Sequence, residues 1–243
     1  MNDNTSGTDV AQQTFGADGP DLVNSIFPDE VSGRFELFSY RSAATILQGG
    51  FPDQFNQILE ALKAIRISKS MIREPGGSKG PIARHVDTLF GSQWQEARLS
   101  ADLTVRLTDP RQSNTIIREY VRENYLDGHR IDFVNDRVAL DLEWNSKDQT
   151  YDRDLYAMST FHLAGAIDVG VILTRGYSLN NDYFRSLGKV LDKNGNEGVG
   201  DVVSKFGAST TTMSKLIYRL NAGRNGGCPV LAIGITPDCI SDD

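Results

Sequence analysis

Ile131-Asp132-Phe133-Val134-Asn135-Asp136-Arg137-Val138-Ala139-Leu140-Asp141-Leu142-Glu143-Trp144-Asn145 reads as two strands joined by a tight turn at Asn135-Asp136. Apolar residues alternate with polar ones on both sides of a turn signal. Successive side chains of a strand point to opposite faces. Ala139, Asp141, Glu143 and Asn145 therefore share one face, and Val138, Leu140, Leu142 and Trp144 form the packed one. Asp132 and Glu143 fall on neighbouring strands, close enough to share one divalent cation, with Asp141 on the same face as a rival ligand. A hard cation such as Mg2+ takes oxygen ligands and keeps several waters. It polarises a phosphoryl oxygen and lowers the pKa of water, as phosphodiester hydrolysis requires. A solvated acidic face gives the same pattern, so these residues alone leave both readings open.

Working outward, residues 167–175 and 229–235 are short apolar runs, the sign of buried central strands. Residues 152–166 carry Leu155, Met158, Phe161, His162 and Ala166 at the spacing of a helix with one buried side. Residues 99–107 alternate as a strand, and residues 113–124 are expected to be helical. Upstream, Phe55, Ile58, Leu59 and Leu62 recur at helical spacing over residues 54–67. A Pro/Gly break follows at residues 74–81, then a second helix over 81–90. Strand, strand, helix, buried strand and a last buried strand predict an α/β fold, a mixed central β-sheet flanked by helices on both faces. Residues 1–20 show no period and are expected to be a loose acidic arm before a single domain over 21–243.

The chain has 243 residues and a net charge of −7. Such a balance does not favour nucleic acid. Phosphate binding, however, needs only a local basic surface. One is available: Lys63, Arg66, Lys69, Arg73, Lys79 and Arg84 are opposed over that span only by Glu74. Residues 194–227 are glycine-rich and hold the hydroxyl run Ser209-Thr210-Thr211-Thr212, which suits a helix cap or a phosphate contact. Lys215, Arg219 and Arg224 follow on roughly one side. No segment is apolar for long enough to span a membrane, and the polar N-terminus does not read as a signal peptide. Cys228 and Cys239 make neither a disulfide framework nor a zinc pattern and read as small buried residues. No G-x-G-x-x-G follows a strand and no P-loop is present, which disfavours nucleotide binding. None of His85, His129 and His162 neighbours a nucleophile elbow.

Ile131-Asp132-Phe133, Leu142-Glu143-Trp144-Asn145, a polar helix, and then Asp168-Val169-Gly170-Val171-Ile172-Leu173-Thr174-Arg175-Gly176 resemble, in order and spacing, the BglII/BstYI group of type II restriction endonucleases. BamHI is a more distant relative, and all belong to the PD-(D/E)XK nuclease superfamily. The likeness covers residues 128–177, and residues 223–235 are similar in role to that family's last strand. It implies a restriction-endonuclease-like core over about 99–177 and 228–237, with a DNA-recognition region over about 178–227. It implies Mg2+-dependent double-strand cleavage of DNA at a short palindromic site with a GATC core, by a homodimer in the bacterial cytoplasm. Asp132 is then the first metal-binding acid and Glu143 the second, with the Leu142 carbonyl beside them. Asn145 falls where the superfamily usually has lysine. There an amide can orient the attacking water, and Lys147 lies two residues further on. Base and phosphate contacts are expected from Ser146, Lys147, Asn180, Asn181, Ser209, Thr210, Thr211, Thr212, Lys215, Arg219 and Arg224, with Lys79 and Arg84 on the basic stretch. A repair or structure-specific nuclease of the same superfamily and a non-catalytic DNA-binding protein are the alternatives.

Overall fold

The computed structural model describes residues 16–75, 79–98, 100–126 and 130–242. Its centre is a six-stranded sheet in the order Phe35–Tyr40, Val230–Ile235, Val169–Arg175, Val138–Glu143, Arg130–Asn135, Gln95–Arg98. The strands Val230–Ile235, Val169–Arg175 and Val138–Glu143 run parallel; the pairings outside them are antiparallel. Every residue of Val169–Arg175 and Val230–Ile235 is buried. A central parallel strand is covered on both faces, which is why these segments read as unbroken apolar runs.

Each face of the sheet has its own core. Val138, Leu140, Val171, Leu173, Leu231 and Ile233 pack on one side with Ile58 and Leu62 of the Pro52–Ala64 helix and with Ile72 and Val86. Ala139, Ile172, Val230 and Ala232 pack on the other with Leu155 and Met158 of the Thr150–Leu163 helix and with Leu216 and Leu220 of Met213–Asn221. A Cβ at Gly170 would lie 2.4 Å from the Met158 sulfur, so a glycine there lets the helix sit close on the sheet. The mixed α/β sheet flanked by helices is the expected architecture.

Two expectations are corrected. Residues 113–124 are not helical. Thr115–Leu126 is a strand, paired antiparallel with Ala101–Asp109 in a ribbon separate from the main sheet. Ile116, Ile117, Tyr120 and Val121 match helical spacing, but β-branched and aromatic residues favour strands. A two-stranded ribbon also has no packed face to impose strict alternation. Leu107, Ile116, Ile117, Tyr120, Val121 and Tyr125 are exposed, and no described ribbon side chain joins either core. The loose arm, where it is described, is tied down. Ala17 bridges to Tyr40, the Asp18 amide donates to the Ser39 carbonyl at 2.8 Å, and Pro20–Ile26 is a helix. Residues 1–15 of that expectation, and His129, lie outside the described residues. Cys228 and Cys239 are buried free thiols, as read.

Candidate active site

The acids meet where a ladder comes apart. Arg130–Asn135 and Val138–Glu143 pair Asn135 with Val138, Val134 with Ala139 and Phe133 with Leu140. Continued by one step, that register sets Asp132 opposite Asp141. The backbone pairing stops there and side chains take its place: the Asp132 amide donates to Asp141 Oδ1 at 2.8 Å, and the Leu142 amide to Asp132 Oδ2 at 3.2 Å. On the other flank of the same strand, Gln95 faces Val134 and Ala97 faces Ile131, an extra residue at a β-bulge. Bulges re-aim side chains, and this one falls at Asp132 and Phe133. Glu143 follows Asp141 on the same face. Its Oε2 accepts from the Thr150 hydroxyl at 3.0 Å.

This face is not solvated. Asp141 is 4 % exposed and Glu143 6 %, so the reading of a water-facing acidic stripe fails. A fourth carboxylate joins from the Thr150–Leu163 helix: Asp154, buried, takes Arg153 at 2.8 Å, and Arg153 also stands 3.7 Å from Glu143. Burial pushes all four acids toward their neutral forms. Glu143 is pushed up to about 7 by burial and then by Asp154. Asp141 is held well above the usual range by burial and by Asp154, and Asp132 and Asp154 are raised by burial.

Asp132, Leu142, Glu143, Asn145, Ser146 and Arg153 line a cleft of about 820 Å3, whose far wall includes Lys79, Pro81 and Asp87. Asp141 Oδ2 and Asp154 Oδ2 are buried with no hydrogen-bond partner. Orphaned carboxylate oxygens beside one another call for a cation. Among the described residues no three acidic, His or Cys side chains form a complete metal cage. Two carboxylates with a neighbouring carbonyl nevertheless fit the sparse protein share that Mg2+ takes, waters and a phosphate supplying the rest.

A family model described as restriction endonuclease BglII/BglIII matches residues 35–235. The chain belongs to this restriction endonuclease family. A comparison with curated proteins finds no match. The matched residues run from the first strand of the main sheet to the last, so they include the bulge, the acids and the cleft. This restriction endonuclease is accordingly a nuclease acting on DNA. None of its described helices is long and apolar enough to cross a membrane.

The expected contact residues sort into two groups. Segments 145–148 and 209–212 are joined: Lys147 bridges Thr210, the Thr211 amide donates to the Ser146 carbonyl and the Asp148 amide to the Ser209 carbonyl, both at 2.9 Å. Lys147, Ser209, Asn180 and Asn181 are exposed. Asn180, though, spends its Oδ1 capping the Asn181–Ser186 helix. Thr211 and Arg219, also expected at the DNA, are buried in this structure. Arg219 and Arg224 both bind Asp152. Lys215 binds Asp148 at 3.2 Å and donates to the Thr210 carbonyl at 2.7 Å. These bases brace the fold, because Asp148 captures Lys215 and Asp152 captures the two arginines. Asn145 Nδ2 donates to the Lys205 carbonyl at 3.1 Å, which turns its amide group toward residues 202–206. Lys79 pairs with Asp87, and Arg84 donates to the Lys79 carbonyl at 2.7 Å. Sequence reasoning ranked Asp141 second to Glu143 and missed Asp154 and Arg153.

The desolvated acids set a pH dependence. With a folded-state pKa of about 7 against an ordinary 4.5, Glu143 holds its proton longer in the folded chain than in the unfolded one. Its contribution is complete below the unfolded value and is lost as pH rises through 7, on the order of 3 kcal/mol. The metal-free protein is expected to melt at lower temperature at pH 8 than at pH 5. Glu143→Gln should flatten that slope, and Mg2+ should raise Tm more at pH 8 than at pH 5. Calorimetry in EDTA and in Mg2+ reads both; identical slopes for the wild type and Glu143→Gln would contradict the buried, repelling arrangement.

Proposed function

We propose that this protein is a type II restriction endonuclease making Mg2+-dependent double-strand cuts at a short palindromic site, and that it acts as a homodimer. The observation that carries this is the meeting of Asp132 and Asp141 at the opened ladder, with Glu143 on the same face, beside a cleft in a chain of a restriction endonuclease family. Asp132, Asp141 and the Leu142 carbonyl would hold a divalent cation, which supplies polarisation of the phosphoryl group and an acidified water. Glu143, whose pKa lies near neutrality, is placed to take the proton of the attacking water. The water oxygen bonds phosphorus, the bond to the 3′ oxygen breaks, and that oxygen leaves in line. With Asp141 as the second acid, the position two residues on is Glu143 rather than Asn145. Asn145 keeps the role of holding the 202–206 segment against the cleft. Lys147 and Ser209 on the joined segments are the base-contact candidates, with the exposed Asn181 a further one, and a GATC core is the first site to test.

A dimer is supported by the ribbon. An isolated two-stranded hairpin is at best marginally stable in water, yet this one exposes seven large apolar residues among Leu103, Leu107, Ile116, Ile117, Tyr120, Val121 and Tyr125. A two-fold pair of subunits also matches a two-fold DNA site. Digestion of a plasmid of known sequence in Mg2+ and in EDTA, with the cut ends mapped, tests the reading. Discrete fragments with identical ends, only in Mg2+, are expected, and sedimentation should give twice the chain mass. Cutting at branched structures without a fixed sequence would replace this function with a repair nuclease. No Mg2+-dependent cutting of any duplex would overturn it.

A further inference from the structure

We propose that Arg153 is a catalytic residue whose guanidinium contacts the scissile phosphate of the DNA. The proposal rests on the nuclease reading above. The cleft presents Asp132 and Glu143 together with Glu74, Asp87 and Glu96, so a DNA backbone that settles there needs positive groups free to meet its phosphates. A phosphodiester gains negative charge on its oxygens as the attacking oxygen arrives, and fixed positive groups aimed at that charge lower the barrier.

Four bases line the cleft: Lys79, Arg130, Arg153 and Lys205. Three of them are engaged away from the acids of the opened ladder. Lys79 pairs with Asp87, and Arg130 with Glu96 at 2.9 Å. The Lys205 ammonium donates to the Ile72 carbonyl at 2.6 Å and to the Glu74 carbonyl. Arg153 alone of the four bonds to the catalytic cluster. Its Nε and Nη2 reach Asp154 Oδ1 at 2.9 and 2.8 Å, and Nη2 stands 3.7 Å from Glu143. Asp154 is 2 % exposed whereas the Arg153 side chain is 47 % exposed. One edge of the guanidinium is therefore anchored on a buried carboxylate while the group as a whole faces the cleft. Nη1 makes no hydrogen bond to a described residue.

A planar fork fixed at one edge presents its remaining donors in the geometry that phosphate oxygens accept. The anchoring means that little conformational freedom is lost when the phosphate arrives. The bond changes are those given above; Arg153 forms none and adds charge beside the phosphorus. The site's own sequence offers no other cation so placed: Asn145 is neutral, and Lys147 is not among the residues lining the cleft.

Single-turnover cleavage of a duplex carrying the mapped site tests this, with DNA affinity measured in Ca2+ and melting followed alongside. Arg153→Ala is expected to slow cleavage by about 10²–10³-fold, well beyond its fall in affinity, and to lower Tm because the buried Asp154 carboxylate loses its partner. Added guanidinium ion should restore part of that rate and leave the wild type unaffected, a readout that a merely structural arginine would not give. Because Arg153→Ala strands the Asp154 charge, the double variant Arg153→Ala/Asp154→Asn removes that burden and should show the same loss. A wild type that cuts, with either variant cutting equally fast, overturns this proposal alone. So does a loss that guanidinium does not rescue and that follows the fall in Tm. A wild type that cuts no duplex overturns the parent reading as well.

Discussion

Asp132→Asn, Asp141→Asn and Glu143→Ala are each expected to lower DNA cleavage in Mg2+ by at least about 10³-fold, some 4 kcal/mol of barrier. Stability should move the other way. Four carboxylates are crowded at the opened ladder, and burial raises every one of them. Asn at 132 or 141 keeps an oxygen for the amide of Leu142 or Asp132, as the native side chains do, and removes one repelling charge. The metal-free Asn variants should therefore melt above the wild type at pH 8, an activity-for-stability exchange common where a site holds like charges together. Their affinity for DNA in the absence of divalent metal should also rise, because the cleft becomes less negative. Glu143→Ala should bind DNA and fail to cut it. Rapid-quench cleavage, calorimetry and equilibrium DNA binding give the three readouts. Near-native cleavage by Asp132→Asn or by Asp141→Asn would remove that residue from the cation site.

The interior of this fold was open to reading because its central strands are apolar on both faces. The alternation over Val138–Glu143 also placed Leu140 and Asp141 on the correct opposite sides. The pairing of the acids was not open to reading, and the reason is one residue of turn. A turn at Asn135-Asp136 would set Asp132 opposite Ala139, with Asp141 and then Glu143 further along the same face and neither of them directly across from it. The structure turns at Asp136-Arg137, with Asp136 at φ 53°, which sets Asp132 opposite Asp141. Register sets the cross-strand neighbour and a single-residue slip changes it, so a hairpin placed to within one position still misassigns the ligands. Spacing did contain a usable signal: a two-residue turn closed by Asn135 and Val138 sets position 132 across from position 141. Arg153 and Asp154 were hidden for another reason. Helical periodicity placed Leu155 and Met158 on the sheet, but not the tilt that brings the first turn over Glu143. The bases Lys215, Arg219 and Arg224 looked like a phosphate surface because sequence shows charges without their partners, and Asp148 and Asp152 lie far from them along the chain.

Arg175→Ala is expected to be the most destabilising single change at the rim of the site, by roughly 3–5 kcal/mol. Arg175 ends the central Val169–Arg175 strand, is 2 % exposed, and has no carboxylate partner among the described contacts. Its Nε donates to the Trp144 carbonyl at 2.8 Å. Its Nη2 donates to Thr210 Oγ1 at 2.7 Å and to the Thr211 carbonyl at 2.5 Å. Its guanidinium lies 4.8 Å from the Phe206 ring and 5.4 Å from Phe184, which stack on each other. The desolvation is severe enough to pull its pKa down to about 10, so the charge is retained at neutral pH. Truncation would leave two carbonyls and a hydroxyl without their donor and open a void beside the two stacked rings. Lysine is not a substitute: a point charge on a flexible stem cannot bridge three acceptors held in the plane of a fork, so Arg175→Lys should recover less than half of the loss. The consequence reaches function because the same side chain joins the end of the catalytic strand pair at Trp144 to the 209–212 segment. Loosening that segment should degrade discrimination between the mapped site and single-base variants of it at temperatures where the variant is still folded. Urea unfolding supplies the first quantity and paired cleavage rates on cognate and near-cognate duplexes the second. An Arg175→Ala protein as stable as the wild type would show that residues 209–212 are held by the Lys147–Thr210 bridge and Lys215 without Arg175.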